Sequence, residues 1–213
     1  MPAQKVCFCC CLCLFAASAW GDFRVTVVDV EGKPAPDVVV LAPSVKSERP
    51  PARVTIDQRD MQFVPHVIVA PLGEPVHFPN SDKTRHQVYS FSAPNNFELK
   101  LYRQQDAPPV SFASEGVVEL GCNIHDSMKG YIFVTRVSSH GVTNAQGLVS
   151  LPGVVNYPTE LQIWYPALGS KSPKAVELQA DGVLTLDHAV QASVVNKPSS
   201  LRDRLQRFKR QND

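Results

Sequence analysis

The chain has 213 residues, 44% of them hydrophobic and 19% charged, with 21 Lys and Arg against 20 Asp and Glu. So even a charge balance excludes the basic excess of a nucleic-acid-binding domain, and the length allows one large or two small domains. The 18 prolines punctuate short apolar runs, which predicts an all-β chain and leaves no long helical pattern.

In chain order, Lys5 precedes the apolar stretch Val6–Ala17, and Ala17, Ser18 and Ala19 have the small-residue spacing of a cleavage site. Residues 1–19 are therefore expected to be a signal peptide, with a mature chain that begins at Trp20 and works in the periplasm. The stretch is too short to span a bilayer comfortably, so no integral membrane segment is expected after cleavage. Cys7, Cys9, Cys10, Cys11 and Cys13 fall within this peptide. Cys122 is left alone, with no intramolecular disulfide partner in an oxidising compartment.

Arg24–Val30 alternates in the manner of a strand, Glu31–Asp37 reads as a turn, and Val38–Ala42 as a second strand. Pro43–Arg53 is a Pro-rich, charged loop. Short strands are predicted at Val54–Ile56, Met61–Phe63, Val67–Ala70, Val76–Phe78, Val88–Phe91, Glu98–Leu101, Val117–Leu120 and Tyr131–Val137. Gly, Pro, Asn, Asp and Ser separate them, a rhythm that suits a β-sandwich over residues 20–136. Beyond that point "VTNAQGLVSLPG" and "ELQIWYPAL" read as strand, turn and strand, followed by Ala175–Ala180 and Val183–Leu186. Residues 137–195 are expected to form a second, small β-sandwich module. The tail, 196–213, is basic. Ser199 or Ser200 could cap a helix with Leu201, Leu205 and Phe208 on one stripe, but three apolar residues are little to bury.

The stretch "GCNIHDSMKG", Gly121–Gly130, places Cys122, His125 and Met128 three residues apart each time. Its flanks, "VVEL" and "YIFV", are strand-like, so the three lie on a loop that can turn them inward together. A lone Cys is most often a small buried hydrophobe. A thiol, an imidazole and a thioether on one short loop is a different matter, because soft sulfur donors with imidazole select copper that cycles between two oxidation states. A trigonal His₂Cys set with a weak axial Met needs a second histidine. His86, in "FPNSDKTRHQVYS", lies in a strand-end loop that a sandwich can bring to the same pole. His66 and His77 sit in or beside strands, and His140 and His188 lie in the second module. Zinc would favour more thiolates or a carboxylate and has no use for a thioether.

The segments "MQFVPHVIVAPLGEPVHFPNSDKTRHQVYSF" and "GVVELGCNIHDSMKGYIFV" resemble the cupredoxins, in particular the plastocyanin and amicyanin branch and the bacterial methylamine utilization-type proteins. The resemblance spans about Met61 to Val134, with Arg24–Ala42 compatible as a leading strand pair. It implies a Greek-key β-sandwich with one type 1 copper ion held by His86, Cys122, His125 and Met128. It also implies that His125 is the electron port, with redox protein donor and acceptor docking beside it. Many members carry Asn directly after the upstream His, bridging the ligand loops. Here that position is Gln87, so the bridge is expected from Gln87 or from Asn80. Residues from Gly141 to about Ala192 resemble carboxypeptidase-regulatory or transthyretin-like modules, giving a small Ig/transthyretin-like β-sandwich after the first.

The expected function is that of a monomeric one-electron carrier rather than an enzyme. A copper oxidase or nitrite reductase would need a second copper site rich in histidine, and the sequence has no His-x-His pair. A dinuclear electron-transfer centre would need a second cysteine in the loop. The competing reading is a periplasmic copper carrier or storage protein without an electron-transfer role.

Overall fold

The computed structural model describes residues 21–103, 107–169 and 172–189. The expected signal peptide, the last part of the second module and the basic tail lie outside the described residues. The chain is all-β, as the sequence predicts. In chain order the strands are β1 (Asp22–Val28), β2 (Val39–Leu41), β3 (Val54–Thr55), β4 (Asp57–Arg59), β5 (Gln62–Val64), β6 (Val67–Pro71), β7 (Pro75–His77), β8 (His86–Ser90), β9 (Phe97–Tyr102), β10 (Val110–Ser111), β11 (Gly116–Gly121), β12 (Lys129–Thr135), β13 (His140–Val142), β14 (Leu148–Pro152), β15 (Thr159–Trp164), β16 (Lys174–Leu178) and β17 (Val183–Thr185). No helix among the described residues is long and apolar enough to cross a membrane.

The sheet at the centre has strand order β6-β12-β11-β8-β9. Successive side chains on a strand point to opposite faces, and this sheet uses both. Ile68, Ala70, Val118, Leu120, Ile132 and Val134 face one core, which Ile56, Phe63, Val76, Phe78 and Phe112 close from the β10-β7-β3 sheet, the β4–β5 hairpin and their connections. The intervening residues Val67, Val69, Val117, Tyr131 and Phe133 face a second core. That is why β12 reads as an unbroken apolar run, "YIFV", instead of alternating: it is buried on both sides.

The second core belongs to two further sheets, β13-β2-β15-β16 and β14-β1-β17. Ile163 and Trp164, neighbours on β15, point to opposite faces. Trp164 meets the central sheet, its ring centroid 5.6 Å from Tyr131 and 5.7 Å from Phe133. Its indole N–H donates to the Gly169 carbonyl, so the buried ring leaves no polar atom unsatisfied.

Strand pairing departs from the expected division at residues 136 and 137. β1 and β2, expected to lead the first sandwich, pair instead with strands that follow Val137. β1 lies antiparallel to β14 and parallel to β17, and β2 lies antiparallel to β13 and β15. The reason is burial. β2 is apolar on every residue and covered on both faces, a setting that only the later strands supply. The chain leaves this sandwich after β2 and returns at β13, where Ala42 N–H donates to Ser139 O at 2.9 Å. The sequence also gives no sign of β4 and β10, because β4 is polar (Asp-Gln-Arg) and β10 has only two residues.

Candidate metal centre

β11 runs antiparallel to both of its neighbours, β12 and β8. The end of β11 therefore meets the starts of β12 and β8 at one pole of the sheet. Cys122 follows β11 directly, Met128 directly precedes β12, and His86 opens β8. The connecting loop is two successive tight turns, with His125 N–H donating to Cys122 O at 3.3 Å and Met128 N–H to His125 O at 2.8 Å. The three-residue spacing in the sequence is the repeat of these turns. Both flanking glycines are sites of close approach. A Cβ on Gly121 would lie 2.6 Å from the Tyr89 ring, and one on Gly130 would lie 2.8 Å from Phe63.

At this pole Cys122 Sγ stands 3.8 Å from His86 Nδ1 and 3.7 Å from His125 Nδ1, and all three donor atoms lie within 4.8 Å of one another. The two imidazole rings are 4.9 Å apart and tilted by 54°. Donors about 2.0 Å (nitrogen) and about 2.3 Å (sulfur) from a common centre have such separations when the angle between them is about 120°. The spacing therefore fits a trigonal site for one ion. His86 is 0% and Cys122 2% exposed, while His125 is half-buried. Met128, 1% exposed, belongs to the same apolar cluster as Cys122 and lines the same surface cleft. Among the described residues, this is the one cluster of His, Cys, Asp and Glu whose donor atoms converge in this way.

Asp82 organises the buried histidine. Its Oδ2 accepts from His86 Nε2 at 2.8 Å, which leaves Nδ1 with its lone pair facing Cys122. The same carboxylate accepts the backbone N–H groups of Asp60 at 2.8 Å and Met61 at 2.9 Å, at the tip of the β4–β5 hairpin. Asp60 and Met61 have φ of 53° and 58°, a two-residue turn that favours glycine or asparagine. Here the external carboxylate holds it in place. Partial burial works against ionisation of Asp82, but the bonds from Met61, His86 and Asp60 outweigh it and hold its pKa below the usual carboxylate range. Burial, with the neighbouring His86 ring, holds His125 below the ordinary imidazole value against a smaller opposing pull from Asp82.

Neither residue expected to bridge the ligand loops takes that position. Gln87 donates to Glu98 on β9. Asn80 donates to Thr84 O and Tyr102 O, and its Oδ1 accepts from Asp82 N–H, so it shapes the loop that leads to His86. The remaining histidines are engaged elsewhere: His66 with Asp37, His77 with Arg53, His140 with the Val137 carbonyl and His188 with Asp187. Sequence reasoning missed Asp82, although an acidic residue four positions before His86 was in view.

Many solved structures align with part of the chain, three of them as follows. A copper-containing nitrite reductase from Thermus scotoductus SA-01 matches over 51% of this chain and 28% of its own, at 25% identity and a TM-score of 0.38. A variant of amicyanin in its oxidized state matches over 45% of this chain and 91% of its own, at 17% identity and a TM-score of 0.37. A purple cupredoxin from Nitrosopumilus maritimus matches over 40% of this chain and 100% of its own, at 21% identity and a TM-score of 0.35. The chain thus spans little more than a quarter of the nitrite reductase. No protein-family model and no curated protein matches this chain.

Proposed function

We propose that the chain is an exported, periplasmic one-electron carrier built around a single type 1 copper ion, with His86, Cys122, His125 and Met128 as its ligands. The observation that carries this reading is the Nδ1, Sγ, Nδ1 triangle, with two of its members buried and separations of 3.8 and 3.7 Å about the thiol. Two imidazoles, one thiolate and one adjacent thioether form a donor set that favours copper over zinc. The bound metal would supply a one-electron couple.

The chain's own residues account for the rest. Asp82 fixes the His86 tautomer so that Nδ1 is the donor. Cys122, enclosed by Leu120, Met128 and their neighbours, presents its sulfur where water has little access. Met128, buried in the same cluster, would lend its thioether as a further, weaker donor. Because His86, Cys122 and Met128 are fixed to strand ends and His125 is held between two tight turns, the ligands need not move when the charge of the centre changes. His125 is the half-buried member, and Ile124 beside it is 50% exposed. Together they form the contact through which a donor and an acceptor exchange electrons with the site. Small interfaces suit such transient encounters, and the carrier works as a monomer.

The test is the copper(II)-loaded protein. Intense visible absorption with reversible one-electron reduction is the expected result, with the colour lost in Cys122→Ser. Pale copper that a chelator strips readily would assign the chain to copper carriage or storage instead.

A further inference from the structure

Gln58 on β4 is as fully buried as His86, both 0% exposed. Its side-chain N–H₂ group donates to Pro79 O at 3.1 Å and to the phenol oxygen of Tyr102. Tyr102 in turn donates its hydroxyl proton to Phe78 O at 2.7 Å. Both neighbours of the amide therefore take a proton from it, since Pro79 O can only accept and the single phenol proton is already committed. This turns the nitrogen toward them and the oxygen away. Gln58 Oε1 is left buried with no hydrogen-bond partner among the described residues.

Folding stability gives no reason for an amide at this position. A buried acceptor without a donor is costly, whereas an apolar side chain of similar length leaves no such group. Both carbonyls would keep a donor without the amide: Pro79 O has the Gln58 backbone N–H at 3.1 Å, and Phe78 O has the Tyr102 hydroxyl. What the amide adds is a link. β4 and β5 form a two-stranded sheet of their own. The tip of this hairpin holds Asp82, and Asp82 holds the His86 ring. Tyr102, at the end of β9, stands opposite His86 in register. Gln58 thus joins the hairpin to Tyr102 and to the start of the 78–86 segment, which Asn80 fastens again to Tyr102 O at 3.2 Å.

We propose that Gln58 is a positioning residue for the metal centre: through Tyr102 and the hairpin that grips Asp82, it holds His86 Nδ1 in place before a metal arrives. The proposal rests on the copper-site reading above. A ligand already held by its surroundings loses less freedom when it binds, so the link raises metal affinity without touching the ion.

The test compares the full parent chain with Gln58→Met, which fills similar space without an amide. In the metal-free protein the Nε2–H of His86 is expected to exchange with water about tenfold faster in the variant. The urea midpoint is expected to be unchanged or raised. Copper(II) affinity is expected to fall about tenfold, with an altered hyperfine coupling in the electron paramagnetic resonance of the bound ion. Tyr102→Phe breaks the same bond, so it should also speed the ring exchange, and the double variant should show less than the sum of the two effects.

A lowered urea midpoint in Gln58→Met, or a chain that fails to fold, would make Gln58 a structural residue and overturn the proposal. So would ring exchange or copper affinity equal to the parent's, or effects of the two substitutions that simply add. Pale, easily stripped copper in the parent would sink the electron-carrier reading instead, and the metal-free exchange and urea midpoint would still decide the role of Gln58.

Discussion

Asp82 shows how one side chain sets the chemistry of another. Its carboxylate can only accept, so His86 must donate through Nε2 and turn Nδ1 toward Cys122. Asp82→Asn removes the charge and one of the two acceptor oxygens, so the side chain can no longer accept from Asp60, Met61 and His86 together, and the ring loses its charged anchor. The variant is expected to lose about 10–100-fold in copper affinity and about 1–3 kcal/mol of metal-free stability, because the Asp60–Met61 tip loses a charged acceptor. Copper titration and urea denaturation check both, and an unchanged affinity would contradict the anchoring role of Asp82. A second buried group links the site to pH. Burial pushes the Tyr102 phenol up to about 12, partly offset by the hydrogen bond from Gln58. The stability tied to its neutral form is complete below the ordinary tyrosine value of about 10, and it is lost as pH rises toward about 12. Denaturation midpoints at about pH 9 and about pH 11 should fall in the parent and fall less in Tyr102→Phe. At this scale the sequence was informative where residue type alone carries chemistry: His86, Cys122 and His125 do come together, and Met128 is buried beside them. It was silent on Asp82, because a carboxylate before a histidine has no meaning until the hairpin tip is folded against it.

Strands were legible wherever apolar residues alternate or cluster between turn residues. Predicted and observed spans for β1, β6, β8 and β11 differ by a residue or two at their ends. β4 and β10 were hidden because their neighbours create them: β4 is hydrogen-bonded to β5, and β10 to β7. The unbroken apolar run of β12 carried a further signal, burial on both faces, which Trp164 explains. Trp164→Ala is expected to cost about 3–5 kcal/mol in denaturant unfolding. Combined with Phe133→Leu, the two losses should fail to add by about 0.5 kcal/mol or more, since the rings touch. Additive losses would mean that the central sheet and β15 are energetically independent.

Across the whole molecule, the segment from Pro43 to Ser138 leaves and re-enters one sandwich between hydrogen-bonded neighbours, β2 and β13. Linear reading placed β1 and β2 with the strands that follow them, because sequence proximity is the only guide before pairing is known. Long-range pairing decided otherwise, since among the described residues only β13–β15 and β17 supply partners on the open edges of β1 and β2. A fragment of residues 20–136 therefore keeps β1 and β2 without their sheets. Amide hydrogen exchange should find Val25, Val27 and Val40 protected in the full chain and unprotected in that fragment. Protection retained in the fragment would restore the linear division.

The central claim is that His86 and the Cys122 loop grip one redox metal from two distant parts of the chain. X-ray absorption at the copper edge of the loaded protein tests it most directly. The account predicts one short copper–sulfur bond and two imidazole nitrogens, with the short sulfur bond absent in Cys122→Ser and one imidazole fewer in His86→Gly. Copper surrounded only by nitrogen and oxygen, or a spectrum indifferent to both substitutions, would contradict it.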